Sequence, residues 1–484
     1  MGYASKDLVE LGRNISTPFT VSLLDEGIEA DLEILDILRF LPGKRLTAVA
    51  SMKGEKVVAK LFFHPQAWKR KLKKELSGMQ EFAQHQLATP KVLSQHSIKG
   101  SGAVILIEYL ETGISLADYF SNEKAVTALE SQKVWSLLFN ALCSCHNTGL
   151  WQGDMHLGNY MLFQDQLYLV DGGDVQQLRK PLQKARRLEN IADFISQFPV
   201  SFDDQAQWML ESYQAGYMEF SPADLGKVRP RVQSLRIQRL GGFEKKMFRS
   251  TSANRKAKTS TYHLVHSRTL QEHDLATFIK NPDSYVKQDQ MLKDGHTTTV
   301  VQASIGGIAM VLKRYNIVGV LQSIKHLFVE SRAHRCWRNA SMLGLLGIHT
   351  PRAYLFLEER FYWAFQRRSY FLTEKIQANN VLLQLEDANE KVDEAKLIAA
   401  FANLFEIMYS YQISHGDMKA TNFIFQEDKL YVLDLDAMQR HRFKWWSRKR
   451  SMSDIKRFEK NWVGSRYEQV FAPMIKKYHE NRRA

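Results

Sequence analysis

Two short segments of this 484-residue chain carry residue types suited to moving a phosphoryl group. Gly153-Asp154-Met155-His156-Leu157-Gly158-Asn159 and Gly416-Asp417-Met418-Lys419-Ala420-Thr421-Asn422 each set an Asn five residues after an Asp. An apolar run then ends on a second acid twelve residues further, at Asp171 in the first case and Asp434 in the second. Phosphoryl transfer asks a protein for positioning and charge neutralisation more than for covalent chemistry. In this pattern the first Asp orients an acceptor hydroxyl and takes its proton. The Asn and the second Asp offer oxygen ligands to Mg²⁺, a hard cation that keeps part of its water shell. A lysine on an upstream strand pairs with nucleotide phosphates, and a helix Glu can hold that lysine. The pattern makes Asp154 and Asp417 the bases and Asn159, Asp171, Asn422 and Asp434 the metal ligands. Lys60 and Lys313 are the phosphate clamps.

The elements needed to position these residues recur with them, 263 residues apart (positions 154 and 417). Val57-Val58-Ala59-Lys60 matches Met310-Val311-Leu312-Lys313, an apolar run read as a buried strand. A helical stretch follows each, closed by Thr89-Pro90 and Thr350-Pro351, because the residue before proline disfavours the helical region. Strands ending on Glu108 and Glu374 come next, and these two acids join the nucleotide-binding set. Glu75, fifteen residues before Pro90, is the expected helix partner of Lys60; the same count back from Pro351 reaches Cys336. Glu330 could replace it only on a shifted or rotated helix. Phosphate-covering glycines are weakly marked, at Pro42-Gly43-Lys44-Arg45 and Asp294-Gly295-His296-Thr297, where hairpin turns are the simpler reading. The fold class is α+β, one unit used twice with sheet and helices segregated. The domains predicted are 1–235 and 236–484.

Length alone, at roughly 100–200 residues per domain, allows two to four domains. The formal charge is +14, and residues 227–258 hold eleven basic residues against one acid. The later part of this junction, rich in Ser and Thr, reads as a loop-like linker. Such a surplus favours an anionic partner without choosing one. Three cysteines are too few for a disulfide framework and fit a reducing compartment. Residues 1–30 are acidic and lack an apolar h-region, so a secretory signal is not expected. No apolar run nears the ~18 residues of a membrane-spanning helix.

The second copy resembles the bacterial lipopolysaccharide kinase (Kdo/WaaP) family of the protein-kinase-like superfamily. His415-Gly416-Asp417-Met418-Lys419-Ala420-Thr421-Asn422 looks like that family's catalytic loop, and Val311-Leu312-Lys313-Arg314-Tyr315-Asn316 like its strand-lysine signature. Ser331 to Ala340, Gly347 to Pro351, and Asp454-Ile455-Lys456-Arg457-Phe458 with Trp462 are similar to its helices and turn. The likeness covers most of 290–465, and 40–215 more loosely. It implies two tandem bilobal protein-kinase-like domains, each with a small β-rich N-lobe and a helical C-lobe. It also implies ATP, Mg²⁺, and transfer of the γ-phosphate to an inner-core sugar hydroxyl, heptose or Kdo, of a lipopolysaccharide or lipid A precursor. The site is then cytoplasmic and peripheral at the inner membrane. Lys419 joins the catalytic set as a contact to the transferring phosphate. Copy one departs here: His156 stands for Lys419 and Gln152 for His415.

These departures support a second reading, in which one copy is a pseudokinase that regulates or scaffolds the other. A third keeps the enzyme and changes the acceptor to a protein or small-molecule hydroxyl. Cys143, Cys145 and His146 lack zinc-site spacing and read as helix core. Trp68 to Lys74 and Lys444 to Arg450 mix tryptophan with cations, either a solvated face or a contact with an anionic membrane. No zinc-finger, RRM or helix-turn-helix signature supports nucleic acid as the partner.

Overall fold

The computed structural model describes residues 2–11, 15–25, 27–121, 128–178, 181–214, 216–217, 220–251, 253–316, 330–361, 365–387 and 389–483. Two compact units divide the chain: Met1–Phe198 with Phe202–Val232, and Pro199–Ser201 with Gln233–Ala484. Each joins an antiparallel sheet to a set of helices.

In the first unit the sheet consists of β1 (Phe19–Asp25), β2 (Ile28–Leu41), β3 (Arg45–Met52), β4 (Glu55–Phe62), β5 (Val92–Ser97) and β6 (Ala103–Glu108), in the order β1-β2-β3-β4-β6-β5. Side chains alternate across a strand, and β4 uses both faces. Val57, Ala59 and Leu61 enter one apolar cluster with Ala48 and Ala50. Val58 turns the other way, against a second cluster built with helix α1 (Trp68–Gln84), and Lys60 shares its register. Leu72, Glu75, Gly78, Met79 and Phe82 form the buried stripe of α1, so an acid sits inside an apolar helix face. The helical half holds α2 (Ala128–Asn147) and α3 (Lys184–Ile195).

The second unit orders its strands β7-β8-β12-β13-β11-β10-β9. These are β7 (Asn254–Lys258), β8 (Tyr262–Ser267), β9 (Met291–Gly295), β10 (Thr298–Ile305), β11 (Ile308–Tyr315), β12 (Ala353–Phe361) and β13 (Phe365–Glu374). Its run β9-β10-β11-β13-β12 follows the same path as β2-β3-β4-β6-β5, with Lys313 at the sixth place of an eight-residue strand, as Lys60 is. Helix α5 (Arg332–Leu346) packs on β12 and β13, and beyond them α6 (Glu394–Ser410), α7 (Lys444–Glu459) and α8 (Tyr467–Arg483) pack together through Phe401, Phe405, Phe458, Trp462 and Phe471.

The basic stretch is not a linker loop. Its first part is helix α4 (Val228–Lys246), and its later part is strand β7, paired with β8 in register Arg255↔His266 and Ala257↔Leu264. Lys and Arg are poor strand formers in general, but at a sheet edge their charges discourage further pairing. The two weak glycine segments are the β2–β3 and β9–β10 turns, with Gly43 at φ +68 where a Cβ would be strained. No helix among the described residues is long and apolar enough to cross a membrane.

Cys143, Cys145 and His146 are buried on α2. The His146 ring lies 2.7 Å from the Tyr213 hydroxyl and 2.9 Å from the Asn190 carbonyl oxygen. Because the Asn190 amide donates elsewhere, Nε2–H of His146 donates to that oxygen. Burial, with the nearby Arg187 charge adding to it, drives His146 down from 6.5 to about 3. The unfolded chain therefore binds a proton below about 6.5 that the folded unit refuses until about 3. Stability carried by neutral His146 is complete above that upper value and lost as pH falls through the window. Acidifying from pH 7 to pH 5 should remove about 2 kcal/mol from the first unit. Urea unfolding at both pH values checks this: His146→Gln should lose correspondingly less, and an equal loss in both proteins refutes it.

Candidate active site

In the first unit Lys60 Nζ donates to Glu75 Oε1 and, at 2.8 Å, to the Val170 carbonyl. Glu75 is 1% exposed and also accepts from Gly172 N at 3.2 Å. Helix α1 reaches the segment after Asp171 by direct backbone contact. A Cβ on Gly78 would lie 2.0 Å from the Gly172 carbonyl oxygen, and one on Gly172 would lie 2.5 Å from the Glu75 carbonyl. Burial raises the proton affinity of Glu75 further than Lys60 lowers it, with the Asp171 charge assisting the rise. At Asp171 burial also pushes upward, but Lys60, the Gly173 N–H, Arg45 and Arg39 together hold the carboxyl below its ordinary range.

Lys60 and Asp171 border a cavity of about 800 Å³, lined also by Val58, Ile107, Glu108, Asn159, Met161 and Val170. Asp154 is not part of that lining; its half-exposed carboxylate lies 3.8 Å from His156 Nε2. Asn159 Nδ2 donates to the Asp154 carbonyl at 2.8 Å, which leaves the amide oxygen as its acceptor.

The second unit repeats several of these bonds. Asn422 Nδ2 donates to the Asp417 carbonyl at 2.8 Å. Thr89 and Thr350 hydroxyls donate to Leu169 and Val432 carbonyls, both at 2.8 Å. The backbone bonds Leu169 N to Ala88 O and Val432 N to His349 O are both 2.9 Å. Glu108 and Glu374 turn their carboxylates back onto Lys91 N and Arg352 N, at 3.1 and 3.4 Å.

The differences sit at the charges. Lys313 Nζ lies 3.2 Å from Asp434 Oδ1. Cys336 faces the Tyr315 hydroxyl at 3.2 Å, and burial lifts its thiol to about 12, so it offers Lys313 no negative charge. Glu330 pairs with Arg338 and His334 at the start of α5 and does not meet Lys313. Asp434 adopts φ +53, a costly backbone region for a residue with a side chain. Burial raises it, yet Lys313, His415 and Lys293 hold it below its ordinary range.

Asp417 is held from three sides. Arg457 Nη2 is 2.5 Å from Oδ1, Lys419 Nζ is 3.4 Å from Oδ2, and Asn422 Nδ2 reaches Oδ2 at 3.2 Å. The loop itself rests on α7. Asp454 accepts from His415 N at 2.7 Å and Gly416 N at 2.9 Å, while the His415 ring meets the Leu433 carbonyl at 2.9 Å. Asn461 Nδ2 donates to the Met418 carbonyl at 2.8 Å.

Sequence reasoning assigned no role to Asp454, Arg457 or Asn461. The signal was present: Asn190-Ile191-Ala192-Asp193-Phe194 repeats the pattern of Asp454-Ile455-Lys456-Arg457-Phe458. In the first unit Asn190 Nδ2 donates to the Gln152 carbonyl at 2.8 Å, and Asp193 stands where the second unit has Arg457. Asp454→Asn should leave one of these two N–H donors, that of His415 buried and that of Gly416 nearer solvent, without an acceptor, costing the second unit about 1–3 kcal/mol. Urea unfolding measures that loss; unchanged stability would show that Asp454 does not brace the loop.

Residues 295–473 match the family model described as the lipopolysaccharide kinase (Kdo/WaaP) family, a span that includes Lys313, Asp417, Asn422, Asp434 and Arg457. A comparison with curated proteins gives no significant match. Among solved structures, one similar chain is described as WaaP in complex with acyl carrier protein. It is 15% identical, the match covers 41% of this chain and 88% of that one, and the TM-score is 0.31.

Proposed function

We propose, from a second unit that carries a lipopolysaccharide kinase (Kdo/WaaP) family match and is therefore a phosphotransferase, that the chain uses ATP to phosphorylate an inner-core sugar hydroxyl, heptose or Kdo. The reaction takes place at the cytoplasmic face of the inner membrane. The two units are read as tandem bilobal kinase-like domains, meeting near 235. The observation that carries the proposal is the cluster of Asp417, Asn422, Asp434 and Lys313 inside the matched span, with Asp417 tethered by Arg457 and its loop braced by Asp454.

In this reading Asp417 orients the acceptor hydroxyl and takes its proton as the oxygen bonds to the γ-phosphorus. The bond to the bridging oxygen breaks, and ADP leaves with that electron pair. Lys419 stands two residues on, where its charge meets the transferring group, and Lys313 holds the remaining phosphates. Asn422 and Asp434 suit Mg²⁺ because both offer oxygen and the Asn422 amide N–H is already spent on Asp417. Among the described residues no cluster of three or more His, Cys, Asp or Glu could hold a metal, so water and phosphate oxygens would complete the shell. The ion supplies neutralisation of phosphate charge.

The first unit favours a second role. Its Lys60–Glu75 pair and adjoining cavity suit nucleotide binding, whereas Asp154 faces a histidine in place of the lysine. The proposal is tested by incubating the full chain with γ-labelled ATP, Mg²⁺ and purified core oligosaccharide. Label should enter the sugar, and label on the protein alone would turn the reading toward a protein acceptor.

A further inference from the structure

We infer that the start of α7 is a docking surface for an anionic lipid bilayer. This deepens the proposed function by naming the surface that meets the membrane. Its test reads binding and not turnover, so the two can fail separately. Phe443, Trp445 and Trp446 are 58%, 66% and 39% exposed. Three other indoles are well buried: Trp135, Trp337 and Trp462 are at most 2% exposed. The second tryptophan–cation stretch behaves differently, since Trp68 packs against the cluster between α1 and the sheet.

The buried side of α7 is Ser447, Ser451, Asp454, Ile455 and Phe458, which fixes this helix to its own unit and leaves the aromatic end outward. Between 437 and 453 the sequence contains no acid. Arg442, Lys444, Arg448 and Lys449 have no acidic partner among the described residues, and Lys449 lies 5.5 Å over the Trp446 ring. The helix also begins without a side-chain cap and without an acid in its first turn. Cations at that end oppose the helix dipole, a cost that an adjacent phosphate layer would reverse. Indole rings prefer the headgroup level of a bilayer, where one edge is apolar and the other wet. Interleaved aromatics and cations on one helix end therefore fit an anionic interface.

Co-sedimentation of the full chain with phosphatidylcholine–phosphatidylglycerol vesicles tests this. Each lost cation near such a surface should weaken binding about fivefold, so Arg448→Gln with Lys449→Gln should cost about 25-fold. Trp445→Ala with Trp446→Ala should cost roughly tenfold or more, with the unfolding midpoint unchanged because both rings are exposed. Phosphatidylcholine vesicles should bind weakly. Wild-type affinity in either double variant, or equal binding to phosphatidylcholine alone, overturns the inference. So does tight binding to single-stranded DNA with vesicles ignored.

Discussion

Asp417→Ala should transfer phosphate to core oligosaccharide roughly 10²- to 10⁴-fold more slowly than the unaltered chain, the usual contribution of a positioned general base. The fall should appear in kcat with KM for ATP little changed, because the nucleotide phosphates are assigned to Lys313 and the metal ligands. Removal of the carboxylate frees Arg457 and Lys419, but both are partly exposed and water can take them. Protein stability should therefore move far less than turnover. Asp154→Ala provides the comparison. Its carboxylate is half exposed and, among the described residues, pairs with a histidine where Asp417 pairs with two cations. If the second unit leads the chemistry, Asp154→Ala keeps most of the activity. Loss from Asp154→Ala with none from Asp417→Ala would invert the division of labour, and no loss from either would end the assignment.

Gly78→Ala should destabilise the first unit by about 3 kcal/mol, the upper end of the usual range for overpacking. The new methyl would fall 2.0 Å from a backbone oxygen, which has no rotamer to escape into. Either α1 moves outward or the segment after Asp171 does, and both carry half of the Lys60–Glu75–Gly172 network. Loss of nucleotide affinity in the first unit should accompany the loss of stability. Gly242→Ala is the control: nothing lies within 4 Å of that added methyl on α4, and Ala favours helix by up to about 1 kcal/mol over Gly. Urea unfolding in which Gly78→Ala matches Gly242→Ala would show that the close approach is not as tight as described.

Much of this network could be read from spacing. Counting back from the prolines reached both Glu75 and Cys336, because helix length and the proline turn are local properties that a sequence carries directly. The Asp–Asn–Asp intervals likewise placed Asn159 beside Asp154 and Asn422 beside Asp417. What stayed hidden depends on partners distant in the chain. Arg457 looks like one more charge on a basic helix until the fold sets it against Asp417, 40 residues earlier by number. Gly78 looks like a poor helix residue until Gly172 is seen against it. Glu108 and Glu374 ended their strands as expected, but the fold turned both carboxylates onto backbone N–H groups. The loop-like reading holds at Ser250, Thr251 and Thr259–Thr261 but fails at Asn254–Lys258, because edge position outweighs propensity, and lysines that disfavour an interior strand suit an outer one.

The paired bonds at Thr89 and Thr350 have a kinematic consequence. In each unit a hydroxyl and a backbone N–H join the segment before the proline to the last strand before Asp171 or Asp434. Such a two-bond joint resists sliding but tolerates rotation, and hinges are commonly a few residues of this kind that absorb dihedral change. In the proposed kinase reading, sheet and helices would swing apart to admit a nucleotide while one edge of the cleft kept its register. Under that reading Lys60 would return to the Val170 carbonyl and Lys313 to Asp434 each time the cleft shut, and the spacing of the proposed catalytic residues would survive every cycle of opening.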